Sequence, residues 1–239
     1  DCMIRVEGDA PQILDCTIAQ SSQNGVLLVG ADPEIRRCLF AGNRAAALSI
    51  DPASFPVMGE NQATGNARDA IAVRGGSMTR TGTWAGDGLP FALLSDVTVR
   101  PGAHLTLVPG TTVQSATSTA DLFVEGTLTA LGTPELPIRL TSDKLPVAPG
   151  QWGALYITAD ATQPASQLRS CIIEGGGSGR NAEVVIVNSA PVLETCIVRT
   201  SSQHGVWLAG STASIADCDF AGNALYAISI DTASFPELR

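Results

Sequence analysis

Pro11-Gln12-Ile13-Leu14-Asp15-Cys16-Thr17-Ile18, followed by Gly25-Val26-Leu27-Leu28, returns 180 positions later as Pro191-Val192-Leu193-Glu194-Thr195-Cys196-Ile197-Val198 and Gly205-Val206-Trp207-Leu208. The match runs without a gap from Ala10–Pro56 onto Ala190–Pro236, with 24 identities in 47 positions. Self-similarity at a fixed period decides the fold class before any local propensity does. The chain therefore holds one tandem unit, 1–180, and the start of a second, 181–239, equivalent to 1–59. Both ends fall inside the pattern, which reads as a slice of a longer array.

A shorter beat lies inside the long one. Cys16 and Cys38 are 22 apart, as are Cys196 and Cys218, and Cys171 precedes Cys196 by 25. Each sits in the same frame: Ile13, Cys16, Ile18; Ile35, Cys38, Phe40; Leu168, Cys171, Ile173; Leu193, Cys196, Val198; Ile215, Cys218, Phe220. Residues two apart on a strand share a face, so each cysteine and the aliphatic residue two places on point the same way. The last inward residue of the next short strand recurs at Val6, Leu28, Ile50, Val73, Val99, Val124, Ile157, Ile186, Leu208 and Ile230, which predicts about ten coils of 22–33 residues. A βαβ unit needs about 30 residues and a helix, and no helical pattern is present. Identical residue types returning at identical phase must stack one above another, as in a solenoid and unlike a sandwich. The expected fold is all-β, a single β-helix domain spanning 1–239.

These residues resemble the right-handed parallel β-helix family, the fold of pectate lyases and of many bacterial surface proteins. The carriers are the two coil signatures quoted above and the segment Val97–Gly110, with Val124–Gly132 and Gly150–Gly153. The resemblance implies a secreted or cell-surface location and fits two functional classes. The first is a structural or adhesive solenoid of a long extracellular protein, its partners being adjacent copies of itself and stacking end to end into fibres. The alternative is a polysaccharide-binding module, a polysaccharide lyase or a glycoside hydrolase.

Composition narrows the partners. Fourteen basic against 23 acidic residues give a net charge of -9, which repels nucleic acid and anionic membranes. No apolar run approaches the roughly 18 residues of a membrane span.

The candidate site residues are mostly structural. Cys16, Cys38, Cys171, Cys196 and Cys218 are expected as buried free thiols in two columns, because residues stacked at the strand spacing of about 4.8 Å stand slightly too far apart for a relaxed disulfide. A Cys16–Cys38 disulfide is the alternative. Asn43, Asn66 and Asn223 share a phase with Ser21 and Ser201 and are expected as a turn ladder. Asp51 and Asp231, equivalent and following a strand, read as turn caps.

The sequence contains no Cys-x-x-Cys pair, and His104 and His204 lack zinc-like spacing, so neither metal nor cofactor is expected. A lyase or glycosidase needs converging carboxylates, and here they are scattered along the chain. Trp84 and Trp152, in glycine-rich stretches, are expected to cover the coil edge. Trp207, between inward Val206 and Leu208, should project outward where Leu27 stands in the first copy, and is the one residue named for saccharide or inter-rod contact.

Overall fold

The structure, a computed structural model, describes residues 2–158 and 162–239. Among them are thirty short strands and no helix, wound as a right-handed parallel β-solenoid of about ten coils with three strands each. A ten-stranded sheet runs the whole length, from Cys2–Glu7 through Asn24–Val29, Ala46–Ile50 and Arg68–Val73 to Asp219–Ala221. Two three-stranded sheets, Gln12–Leu14 to Val57–Gly59 and Thr17–Ala19 to Gln62–Thr64, serve the first three coils. Two seven-stranded sheets take over from there. The second sheet runs from Gly76–Met78 to Ile228–Ile230, and the third from Gly82–Trp84 to Glu237–Leu238. No helix of the described residues is long and apolar enough to cross a membrane.

Inward side chains of successive coils form one continuous core, from Val6 and Ile13 to Leu208 and Ile215. Columns of like residues follow directly from register: Ile13 pairs with Ile35 and Ile35 with Met58, and Leu122 with Leu155, followed by Val184, Val206 and Ile228. The widest core residues, Trp84 and Phe91, stack at 4.7 Å in the coil where the sheets change. Trp84 thus fills the interior and does not cover an edge, because its strand, Gly82–Trp84, alternates and places it beside inward Leu107.

The expected single column of last inward residues breaks at one point. Val73 pairs with Leu93, not with Val99, and Val99 pairs with Met78 and Val124. The strands Gly76–Met78 and Gly82–Trp84 fill the interval that the spacing of 26 had concealed. As a result the two copies of the repeat do not share sheets. Cys2–Glu7, Asn24–Val29 and Ala46–Ile50 belong to the ten-stranded sheet, whereas their counterparts Ala182–Val187, His204–Ala209 and Ile228–Ile230 belong to the second sheet. The offset of 180 residues corresponds to twenty-two strands, which is seven coils of three plus one strand. Equivalent outward residues of the two copies therefore look out of different sides of the rod.

Corners are held by side chains reaching one coil back. Asn43 Oδ1 accepts from Ser21 N–H (2.9 Å), and its Nδ2 donates to Ile18 O (3.1 Å) and to Asn66 Oδ1 (2.7 Å). Asn66 Oδ1 accepts from Asn43 N–H (3.0 Å) and Nδ2 donates to Phe40 O (2.9 Å). Asn223 repeats the pattern on Ser201 N–H and Val198 O. Asp51 and Asp231 cap in the same way: Asp51 accepts from Gly30 N–H and Ser54 Oγ–H, Asp231 from Gly210 N–H and Ser234 Oγ–H.

Replacing Asn43 by alanine leaves buried Ser21 N–H and Ile18 O without partners, at a cost of about 3 kcal/mol. Urea unfolding of Asn43→Ala should show a clearly lowered midpoint, and Asn223→Ala, half-exposed on the last coil, a smaller loss.

Candidate functional site

The cysteine columns form the first cluster. All six cysteines are free thiols. The residue before each column cysteine, Asp15, Arg37, Ser170, Thr195 or Asp217, takes a positive φ of 47–55°, which turns the chain sharply and leaves the cysteine in the corner. There each thiol serves as a weak donor to carbonyls the turn has orphaned. Cys38 Sγ–H reaches Ile13 O and Arg36 O (3.3 Å each), Cys171 reaches Ala130 O (3.3 Å), and Cys196 reaches Leu168 O (3.5 Å) and Glu194 O (3.4 Å). Contact with the Cys171 thiol, then burial, push the Cys196 thiol up to about 12. Contact with Cys196 and burial raise Cys218 as well, and burial raises Cys38.

Two details differ from the sequence reading. Cys16 is exposed, because it lies in the first described coil and finds only Leu14 O in its own turn, and Cys218, on the last coil, is half-buried. The third member of the first column is Asn61. Its Oδ1 accepts from Cys38 N–H and its Nδ2 donates to Ile35 O, so an amide substitutes for a thiol at the same phase.

The second cluster is one that sequence reasoning missed. At the corner between the ten-stranded and second sheets, coils six to eight bring together Asp121, Glu174 and Glu183, all buried. Asp121 Oδ1 accepts from Ala154 N–H (2.7 Å), and Oδ2 pairs with Arg180 Nε (3.0 Å) and Nη2. Burial raises the Asp121 carboxyl against the pull of Arg180. Glu174 bridges Arg199 (Nη2, 2.6 Å) and Arg139 (Nη1, 3.4 Å). Trp152, expected at a coil edge, is buried here, with Nε1–H donating to Glu174 O at 3.0 Å. A signal for this cluster did exist. At the phase just before the first inward aliphatic, the second sheet carries the acids Asp96, Asp121 and Glu183 in three coils and Ala154, Gly205 and Ala227 in three others.

Chemically these are arginine-neutralised or desolvated acids locking loops to a corner. Among the described residues no group of three or more His, Cys, Asp or Glu is arranged to hold a metal ion.

The third feature is an outward column on the second sheet. Thr98, Phe123, Tyr156, Val185, Trp207 and Ser229 succeed one another in register. Phe123 and Tyr156 stack at 4.9 Å, and the Arg180 guanidinium lies over Tyr156 at 5.8 Å. Trp207 is half-buried against Val185, Ala154 and Ala182. Beside it His204 stacks on exposed Tyr226 at 5.4 Å and its Nδ1 accepts Tyr226 N–H. The first copy carries Asn24, Leu27 and Ala46 at the positions of His204, Trp207 and Tyr226. His104 is also outward, on the third sheet, bonded to Thr129 Oγ1 at 2.8 Å.

A thiol count gives a direct check on the columns. Brief treatment of the native protein with iodoacetamide should modify Cys16 readily and leave Cys38, Cys171 and Cys196 unmodified until the chain is unfolded, as read by peptide mass spectrometry.

A family model described as a pectate-lyase like beta helix domain matches residues 59–178. No curated protein and no solved structure matches the chain.

Proposed function

This chain belongs to the pectate-lyase-like β-helix domain family, and from that premise we propose that it works as a structural and adhesive segment of an extracellular or cell-surface protein, stacking coil upon coil with neighbouring units or copies. The observation that carries this reading is the contrast between equivalent residues. Phe55 is 9% exposed and Ile50 is 0% exposed beneath the following coil, while their counterparts on the last coil, Phe235 and Ile230, are 77% and 43% exposed. Leu225, Tyr226 and Leu238 add to the same open surface. An unpaired strand edge over an apolar layer is a template for another strand.

At the opposite end Ile4, Val6, Ala10, Pro11 and Ile13 line an open recess of about 590 Å³ together with the charged Arg5, Glu7 and Asp9. One end thus presents apolar side chains and the other a recess with an apolar floor and a charged rim, which supports coil-on-coil stacking with a neighbouring unit or copy. The family also contains enzymes. In this chain the acids that converge are buried and two of the three are committed to arginines, which supports a scaffold over a lyase or hydrolase.

Sedimentation and negative-stain microscopy test the reading. The chain should lengthen into end-to-end assemblies as concentration rises, and Phe235→Asp with Ile230→Asp should keep it a single rod. A wild-type chain that stays a single rod at millimolar concentration would overturn it.

A second reading, the holding of a polysaccharide, is favoured by the outward aromatic column alone. Trp207 projects where Leu27 stands in the first copy, next to His204 and Tyr226, so the copies differ in aromatic content at outward positions while their turns and core agree. Here Trp207→Ala should weaken binding to a glycan found by array screening about tenfold, equivalent to about 1.4 kcal/mol, with melting unchanged.

A further inference from the structure

The ten-stranded sheet has two unpaired edges, Cys2–Glu7 at the head of the rod and Asp219–Ala221 at the tail. One inward column runs unbroken between them, from Ile4 through Leu48, Phe91 and Leu140 to Phe220. Two residues before the column member at each edge stands a cysteine, Cys2 at the head and Cys218 at the tail. We propose that a second copy of this chain adds its Cys2–Glu7 strand to the Asp219–Ala221 edge in the register of that column. Its Ile4 then covers Phe220, and its Cys2 covers Cys218, extending the thiol column Cys171, Cys196, Cys218 into the next copy. This junction presupposes the coil-on-coil stacking read above and gives it a register.

Both edges lack a cover that their repeat counterparts possess. Ala182 and Val184, the counterparts of Cys2 and Ile4, are fully buried in a strand that lies on Leu155–Ile157, whereas Cys2 and Ile4 are half-buried. Cys38 and Phe40, the counterparts of Cys218 and Phe220, are buried beneath the next coil, whereas Cys218 and Phe220 are half-buried. The corner hydrogen bonds tell the same story. Cys38 N–H donates to Asn61 Oδ1 at 3.0 Å and Cys196 N–H to Cys218 Sγ at 3.4 Å, each acceptor lying one coil on. Among the described residues no acceptor faces the Cys218 N–H. The sulfur of an incoming Cys2 stands at that phase, about one strand spacing away, as the sulfur of Cys218 does for Cys196.

Charge on the outward face agrees with this register. Arg5 of the second copy lies opposite Ala221 and diagonal to Asp219, an exposed acid in no ion pair among the described residues. Diagonal neighbours on adjacent strands come within reach of a long side chain, so the guanidinium can meet the carboxylate. Arg5 is otherwise bonded only to Glu7 of its own strand.

The repeat offers a second register, with Ile4 over Ile228, because Cys2–Glu7 and Ile228–Ile230 hold the same place in the coils of their copies. That arrangement leaves the Asp219–Ala221 edge bare, since the next strand position along the winding lies over that strand. A bare edge over an apolar layer is what stacking removes. The first register leaves no strand position vacant.

Thiol bridging in the full chain tests the register. Ala221→Cys and Arg5→Cys chains are mixed at a concentration where sedimentation shows end-to-end assemblies, then treated with dibromobimane, in which each of two thiolates displaces one bromide. Peptide mass spectrometry should find a covalent dimer bridged between positions 221 and 5. A mixture of Ser229→Cys and Arg5→Cys chains, the pair that the second register would bring together, should lack the bridge between 229 and 5. A bridge through 229 and 5, or assemblies with neither bridge, overturns this register and leaves the stacking reading standing. An unsubstituted chain that stays a single rod overturns both.

Discussion

Each corner of the spiral takes the chain out of one ladder and into the next, and there its backbone N–H and C=O groups lose their strand partners. A buried group left unpaired costs about as much as a hydrogen bond is worth. Everything else in the rod depends on how those groups are satisfied. Asn43, Asn66 and Asn223 serve one corner, the cysteines with Asn61 a second, and Asp51 and Asp231 with Ser54 and Ser234 a third. All but Cys16 reach the neighbouring coil, about one strand spacing away. A small polar side chain therefore recurs at a fixed phase in the coils of both copies. That recurrence produces the sequence repeat, and it ties each coil to the one before it as well as to its own turn.

The same constraint explains why the rod changes register only once. Between Arg68–Val73 and Phe91–Leu93 the two short sheets end and two new ones begin, yet the ten-stranded sheet passes through unbroken. The interior there is filled by Trp84 and Phe91, the bulkiest stacked pair, and Asn61 N–H is received by Asp87, an acid in place of a column amide or thiol. Beyond this point each tandem position has advanced by one strand. Outward positions that carry Asn24, Leu27 and Ala46 on one side of the rod carry His204, Trp207 and Tyr226 on another, facing the Phe123–Tyr156 stack. Closely similar core and turn residues in the two copies thus carry unlike outward residues on different sides of the rod.

The coil architecture was legible in the sequence because corner and core residues have few alternatives: cysteine, asparagine and branched aliphatics return at matching phase from Ile13 to Phe220. Three things were not legible. The switch was hidden because Val73 and Val99 look like one more interval of a drifting period, and nothing in hydrophobic alternation distinguishes one extra strand from a longer loop. Trp84 was misplaced for a related reason, since flanking glycines suggest a loop while the strand's alternation sends the ring inward. The buried acids escaped because Asp121, Glu174 and Glu183 lie far apart in sequence and converge only through stacking. The phase shared by Asp96, Asp121 and Glu183, where three other second-sheet coils carry Ala154, Gly205 and Ala227, was the available clue.

The coils of the rod are locked to one another by corner side chains, with the acid–arginine corner of Asp121, Glu174 and Arg180 among them, and its last coil displays Phe235 and Tyr226. The stacking in register is tested most directly by a distance measured between spin labels placed at Thr98 and Ser229, in a background lacking the accessible cysteines. These residues stand in one outward column, five strand spacings apart. The account predicts a narrow distribution centred, after allowing for the label arms, near about 24 Å. A distance well beyond about 35 Å, or a broad distribution, would contradict it.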